Sequence, residues 1–585
     1  MFFARFSAVL LLASFSVAVP SGSLDDQWVY LNKTVDGRLH TAVPFARPCF
    51  QQSTLSGSYD EAACLSVETN YLNATVRSGT FATYMATQSE TCQKTDAQCT
   101  LDWQNITDPA ASAAPRTCSQ GSISPYYASF ANFVSSLLLI FSNQIDVKCA
   151  KDVQAAFAFS EKTGVHVVIK NTGHDYKGRS SSPNSLGLWS HNLKSMSYIR
   201  QFRPQGCPSH TTFSAATIGA GVQHTELFEF AEAQGVTLPG GACSSVGVTG
   251  GYLQGGGHSW LSNIYGLAVD RVLEFEVVTP TGQHLFANAC QNSDLFFALR
   301  GGGGGTFGFV LSATTKALPK VSYTSVEVTY ASDNTTLPKF VSFLISNAVQ
   351  WSLDGWSGQI RPGSKLVLTA VNTTEAEATA YMSSLRDLAT EINGTFSVAT
   401  TPSYLAFHKT FVIPDALNEL DGIPQTIGSR LISADTFADH PDELLSSLLN
   451  IVSASAVSFI FANAPYSVSQ DASLGPASVT PAWRTSVWHV IAGAGWTFDT
   501  PPEVQSLLYA GITASIDPLR AITPSSGAYQ NEADLHEPDF STAYWGENYA
   551  RLEQIKRKYD PNHLLDCWNC VGWKGANDTL FSCYL

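Results

Sequence analysis

Residues 238–261 read LPGGACSSVGVTGGYLQGGGHSWL, eight glycines around the single thiol of Cys243. Glycine lets a backbone turn sharply and lie close against a flat ligand. A hydrolytic site has no need of such a run. About sixty residues upstream, Val167-Val168-Ile169 has the pattern of a buried strand and runs into Lys170-Asn171-Thr172-Gly173-His174-Asp175. Consecutive backbone N–H groups in a turn of that kind can cradle a pyrophosphate without a basic side chain. A third chemically capable stretch, near the C-terminus, holds Tyr529, Asn531, Glu532, Asp534 and Glu537. In an extended segment the period of two puts Tyr529 and Asn531 on one face. To serve as a general base a phenol there needs its pKa lowered, and a carboxylate needs it raised. Tyr404 and His408 are further base candidates. Each residue also has a plain alternative: His174 as a surface-turn histidine, Cys243 as a disulfide partner or small buried side chain, and the carboxylates as solvent-facing groups.

The elements that must position these residues follow from hydrophobic periodicity. A helix is expected over 152–162, leading into a strand at 165–169. A strand over 214–222 and a helix over 225–234 precede the glycine-rich segment, and a strand over 272–279 ending at Thr281-Gly282 follows it. Gly303, Gly305 and Gly308 formally spell the dinucleotide fingerprint. That fingerprint works only with a strand before the glycines and a helix after them. Here the order is helix, glycines, strand, so the Rossmann reading is set aside. Residues 321–520 read as α+β, with strands near 325–330, 358–361, 365–371 and 485–492 and helices near 337–351 and 375–388. Their dense aromatics, Trp351, Trp356, Tyr404, Phe407, Trp483, Trp488 and Trp496, are expected to be mostly core.

His174 and the run Gly241-Ala242-Cys243-Ser244-Ser245-Val246-Gly247, followed by Gly250-Gly251, resemble the flavin-binding domain of the vanillyl-alcohol oxidase superfamily, in its berberine-bridge-enzyme-like branch. Arg300 with its following glycines fits the same pattern. So does the segment from Tyr529 through Trp545-Gly546-Glu547-Asn548-Tyr549 and Tyr559-Asp560-Pro561 to Val571-Gly572. The resemblance implies an α+β fold: a two-part FAD-binding domain of the PCMH type, a substrate domain, and a C-terminal segment returning to the flavin domain. It implies FAD held by two side chains, His174 and Cys243. The other cofactor contacts it implies are Lys170, Asn171, Thr172, Gly173, Asp175, Gly241, Val246, Gly247, Thr249, Gly250 and Asn531. Tyr529, Glu532 and Glu537 become the catalytic candidates, for hydride transfer from a small-molecule alcohol, sugar or secondary metabolite, with oxygen as acceptor. One stretch departs from the family pattern: residues 128–149 run long where relatives have a short strand, either as an insertion or as translated intron sequence.

The whole chain sets the frame. Its 585 residues, 44% hydrophobic, suffice for a sizeable core, and the net charge of −15 with no basic stripe argues against nucleic acid. Residues 1–20 read as a secretory signal. Twelve cysteines and seven Asn-x-Ser/Thr sequons (Asn32, Asn73, Asn105, Asn334, Asn372, Asn393, Asn577) fit that route to a secreted glycoprotein. The longest internal apolar run, 133–141, is too short to span a bilayer. The expected organisation is a disulfide-stapled lead-in over 21–124, the FAD domain over 125–320, the substrate domain over 321–520 and the returning segment over 521–585. If Cys243 carries flavin, an odd number of cysteines remains, with Cys149 the candidate leftover. Cys567-x-x-Cys570 is expected to form structural disulfides involving Cys583, with no metal site. A flavoprotein that isomerises or cyclises is the rival within the fold. A secreted hydrolase lacks any G-x-S-x-G elbow, and a binding protein lacks repeats.

Overall fold

The computed structural model describes residues 23–127, 145–414, 421–466 and 468–585. The signal-like segment and residues 128–144, with their apolar run, lie outside them.

Helix Ala150–Thr163 buries Val153, Ala156 and Phe157 on one face and stops at Gly164, whose φ of 72° is the left-handed cap that glycine adopts cheaply. The chain then enters strand Val167–Lys170, which pairs in parallel with Leu186–Trp189. Short strands at Tyr126–Tyr127 and Ile145–Asp146 pair with the same strand in parallel, and His40–Thr41 closes the edge of this small sheet. A second sheet is wholly antiparallel. Its order is His284–Asn288, Val272–Val278, Phe309–Lys316, Phe213–Gly219 and Met196–Phe202. Helix Ser293–Leu299 precedes the glycines of 301–305 and a strand follows them, the order that excludes a dinucleotide fingerprint.

The third sheet has seven antiparallel strands: Thr395–Thr401, Tyr323–Thr329, Lys365–Val371, Ser357–Arg361, Val457–Ala462, Ser486–Gly495 and Gln425–Ser433. One face packs on the helices Thr336–Leu353, Pro441–Ala454 and Pro502–Ile522, burying Ile460, Trp488 and Val490 against Leu344, Leu448 and Ile516. Each such side chain, fully buried, contributes about 1.5–3 kcal/mol. The seven aromatics expected in this region are all buried. Among the described residues here, three strands and the four α-helices Tyr404–Phe407, Ala434–Asp439, Pro441–Ala454 and Pro502–Ile522 went unanticipated, and the helix expected over 375–388 is two, broken at Met382.

The lead-in carries little regular structure and is stapled by Cys49–Cys64 and Cys99–Cys118. Cys92 reaches 491 residues to Cys583, so Cys583 ties the C-terminus to the lead-in, while Cys567 and Cys570 pair with each other. Cys207–Cys290 makes the fifth bridge, leaving Cys149 and Cys243 outside any disulfide.

Lys170 corrects one expectation. Its side chain faces away from the glycine-rich segment, fully buried, and its ammonium donates to the carbonyl oxygens of Thr80, Phe81 and Thr83 at 2.9, 2.6 and 2.7 Å. Strand alternation causes this, because Ile169 and Asn171 take the other face. Lys170 anchors the lead-in and does not contact the ligand cavity. Lys170→Met strands three buried carbonyls and removes a charge-assisted cluster; it is expected to destabilise the protein by about 3 kcal/mol, read as a lowered unfolding midpoint.

Candidate active site

Where the three sheets meet lies a cavity of about 660 Å³. Its floor is the glycine-rich backbone. A Cβ at Gly247 would sit 2.0 Å from Asn171 Oδ1, and one at Gly304 would sit 2.9 Å from the Cα of Gly251, so these segments touch with no space for side chains. Gly173 turns with φ of 90° between Asn171-Thr172 and His174. Asn171, Thr172, Gly173, His174, Asp175, Gly241, Cys243, Val246, Gly247, Thr249, Gly250 and Asn531, all expected near the cofactor, line this cavity.

His174 and Cys243, 69 residues apart in sequence, converge here. The thiol sulphur is 3.7 Å from His174 Nε2, which also lies 2.7 Å from Ser245 Oγ. The Cys243 loop is clamped from behind. His224 Nδ1 meets the carbonyl of Cys243 at 3.1 Å, His408 Nε2 that of Ala242 at 2.7 Å, and Tyr404 donates to that of Gly240 at 2.6 Å. Burial drives the His224 pKa down to about 3, so this clamp is a neutral imidazole. Tyr404 and His408, weighed as bases, do not line the cavity; they hold this loop.

The catalytic candidates separate sharply. Glu532 lines the cavity, and its Oε2 accepts from His258 Nε2 at 3.1 Å and His489 Nε2 at 2.9 Å. The other ring nitrogen of His258, Nδ1, lies 3.1 Å from Asn463 Nδ2, which fixes the ring's orientation toward the carboxylate. Burial alone would raise the Glu532 pKa, but the charge and hydrogen bonds of His258 and His489 outweigh it and hold the carboxyl well below its ordinary range. Burial pushes His489 below its ordinary value. Tyr529 is buried, accepts from Asn531 Nδ2 at 2.7 Å, and is pushed well above 10 by burial and the nearby Glu532 charge. It remains a phenol, placed to donate a hydrogen bond.

Glu537 and Asp534 are not in the cavity. Arg520 pairs with both, at 2.7 and 3.1 Å, so the two carboxylates, weighed as bases or as solvent-facing groups, are instead buried ion-pair partners. The period-two face that carries Tyr529 and Asn531 ends at the turn of Glu532, whose N–H closes on the Tyr529 carbonyl at 2.9 Å, and the chain beyond it folds toward Arg520. Residues not singled out from sequence include His258, inside the glycine-rich stretch itself, His489, and Arg179, which donates to Asn531 Oδ1 at 2.8 Å. The three glycines before His258 were the available signal for it.

Comparison with known proteins gives these residues a context. Residues 145–288 match the FAD binding domain family and 528–567 the family described as berberine and berberine like. The FAD-linked oxidoreductase ffsJ of Aspergillus flavipes is 35% identical over 599 residues, covering 95% of this chain and 93% of its own length. The chain belongs to the berberine-bridge-enzyme-like oxidoreductases of the vanillyl-alcohol oxidase superfamily. Among solved structures of this fold, the VAO-type flavoprotein MtVAO615 from Myceliophthora thermophila C1 is 29% identical, with a TM-score of 0.80 over 95% of this chain and 96% of its own. A glucooligosaccharide oxidase from Acremonium strictum, described as carrying a 6-S-cysteinyl, 8α-N1-histidyl FAD, shares the fold at 19% identity, with a TM-score of 0.59 over 73% of this chain and 91% of its own.

The berberine-bridge-like chain is thus an FAD-linked oxidoreductase of α+β fold, and its cavity fits that cofactor. Asn171 Oδ1, Thr249 Oγ1 and Gln254 Oε1 are buried in the wall with no hydrogen-bond partner among the described residues. Buried polar atoms of this kind call for a bound group. No helix among the described residues is long and apolar enough to cross a membrane.

The ion-paired placement of Glu537 yields a direct expectation. Glu537→Gln lowers the unfolding midpoint, because the half-buried Arg520 guanidinium loses part of its compensation, yet leaves the rate of flavin reduction per folded molecule within about twofold. A reduction rate that collapsed in this variant would return Glu537 to the catalytic group.

Proposed function

We propose that the protein is a secreted oxidase that holds FAD through both His174 and Cys243 and oxidises a carbinol carbon of a small molecule. The observation that carries this reading is the 3.7 Å approach of imidazole and thiol in the wall of the cavity that also holds Glu532. Two side chains bonded to one benzenoid ring, one directly at position 6 and the other through the 8α carbon, must lie within several ångströms of each other, and this pair does. The 6-S-cysteinyl, 8α-N1-histidyl linkage of the Acremonium oxidase has that pattern. When bound, FAD supplies a two-electron acceptor at N5 and reoxidation by oxygen with release of peroxide.

The chain's own residues supply the rest. Residues 125–320 and the returning segment 521–585 form the cofactor's bed, 321–520 the sheet that covers it, and 21–124 a stapled flank. Asn171, Thr249 and Gln254 would present polar atoms to the cofactor, and the backbone N–H groups of the turn 171–175 would hold its phosphates. Glu532, kept ionised by its two imidazoles, takes the substrate's hydroxyl proton as hydride leaves, although its pKa is lowered rather than raised as expected of such a base. Its Oε2 is occupied by two imidazole N–H groups, while Oε1 has no partner among the described residues. Tyr529 donates to the substrate oxygen, and Asn531 fixes the phenol. Secretion is supported by the leader at 1–20, the five disulfides and the exposure of six of the seven sequon asparagines, Asn73, Asn105, Asn334, Asn372, Asn393 and Asn577.

Two experiments test this. In unreduced, denatured protein, alkylation is expected at Cys149 alone, with Cys243 protected; alkylation at both would remove the cysteinyl link. Glu532→Gln is expected to keep the flavin spectrum while slowing anaerobic flavin reduction by about 10²- to 10⁴-fold. Because the Glu532 carboxyl is held below its ordinary value of 4.5, the stability it contributes is full above that pH and is lost as pH falls toward the folded value. The stability gap between wild type and Glu532→Gln should therefore shrink on acidification below pH 4.5. A gap constant with pH would show that the histidines do not depress this carboxyl.

A further inference from the structure

The seven-stranded sheet turns its second face into the cavity, and register fixes what that face presents. Directly opposed residues of an antiparallel pair lie on one side of the sheet. Gln359, Phe461 and His489 are opposed in one row, Phe459 and Ile491 in the next, and Val457, Gly493 and Ile427 in the third. His489 is the imidazole bound to Glu532, so the rows lead outward from the reacting end of the cavity. From residue 489 to 493 the strand advances about 13 Å, at about 3.3 Å per residue.

Over that length the wall is apolar. Phe459, Phe461, Ile427, Val457 and Ile491 all line the cavity, and no charged side chain of the sheet does. Phe459 stacks on Phe461 with centroids 6.0 Å apart, and Phe461 stacks on His489 at 6.0 Å, an aromatic rail ending at the base. The facing flank from the lead-in adds Met85 and Trp103; the Trp103 indole N–H is turned away to the carbonyl of Trp496 at 2.7 Å. Of the charged groups of the cavity, Asp175, Arg179 and Glu532 belong to the flavin bed and the returning segment, while Asp421, just before the strand Gln425–Ser433, sits beside His174 and Cys243 and outside the three apolar rows. A glycan in this space would bury hydroxyls around every ring against carbon, and each buried hydroxyl without a partner is costly. Gln359 and Gln425 are the amides the sheet offers to the cavity.

We infer that the substrate is a largely apolar molecule, longer than a single ring, with one carbinol delivered to Glu532 and its hydrocarbon body laid along the Phe461–Phe459–Val457 strand. This rests on the oxidase reading above and narrows its substrate class away from sugars. Phe459 and Ile491 are the specificity-determining pair, because they cover the carbon skeleton one row beyond the reacting atoms.

The test is a titration of the flavin-containing protein under anaerobic conditions, following perturbation of the flavin absorbance. The ligands are benzyl alcohol, long-chain primary alcohols, a four-ring hydroxysteroid, cellobiose, cellotriose and chitobiose. Half-saturation is expected to fall at least about tenfold from benzyl alcohol to the largest apolar alcohols, with the three sugars weaker than any of these. Phe459→Gln and Ile491→Gln should each weaken binding of the largest alcohols about tenfold while leaving benzyl alcohol within about twofold and the unliganded flavin spectrum unchanged. Tighter response to the sugars, no gain with apolar size, or no response to the apolar series overturns the substrate class. A protein isolated without flavin would instead overturn the oxidase reading, so the two failures are distinct.

Discussion

The structure depends on bringing an imidazole and a thiol from two distant loops to within 3.7 Å of each other in the wall of one cavity. Neither loop can do this with ordinary side chains along its path. Gly247 and Gly250 pass so close to Asn171 that a Cβ at either would collide with its amide, and Gly241 packs on the His224 ring. The glycine density of the 238–261 stretch is therefore a packing requirement between two loops as much as a surface for a flat ligand. Neutral His224, with His408 and Tyr404 from the region of the large sheet, pins three carbonyls of the thiol-bearing loop, those of Cys243, Ala242 and Gly240. The large sheet thus covers the cavity and also holds the loop beneath it.

The same division of labour runs through the cavity. Most polar and titratable groups lie on the flavin bed and the returning C-terminal segment, hydrocarbon dominates the sheet, and Gln359, Gln425 and Asp421 are the polar side chains that the sheet and its leading loop add. Glu532 belongs to the returning segment, but its partners His258 and His489 come from the glycine-rich loop and the sheet. Three separate parts of the chain must be docked before this carboxylate is held in its low-pKa state. The Cys92–Cys583 bridge and the buried Lys170 cluster secure the lead-in on which that docking leans.

Much of this was legible in the sequence because glycine, cysteine and histidine leave signals that do not depend on tertiary context. The helix at Ala150–Thr163, the strand into the His174 turn and the helix–glycine–strand order around 301–305 follow from periodicity and punctuation alone. Lys170 was misassigned because proximity in sequence to a ligand turn says nothing about which face a strand-end residue takes. Glu537 resembled Glu532 as a carboxylate in the same segment; only the position of Arg520 separates an ion pair from a cavity wall. The strand Gln425–Ser433 was hidden by its polar start and internal Gly428, which packs against Ile512 and Ile516. His489 lay within an expected strand but carried no local mark, since its role comes from cross-strand register.

The account stands most directly on the identity of what joins the two loops. Proteolysis of the unreduced protein followed by high-resolution mass spectrometry is expected to give one species in which the peptide containing His174 and the peptide containing Cys243 are joined through a single flavin. Recovery of those two peptides separately and unmodified, from protein that carries FAD, would contradict it.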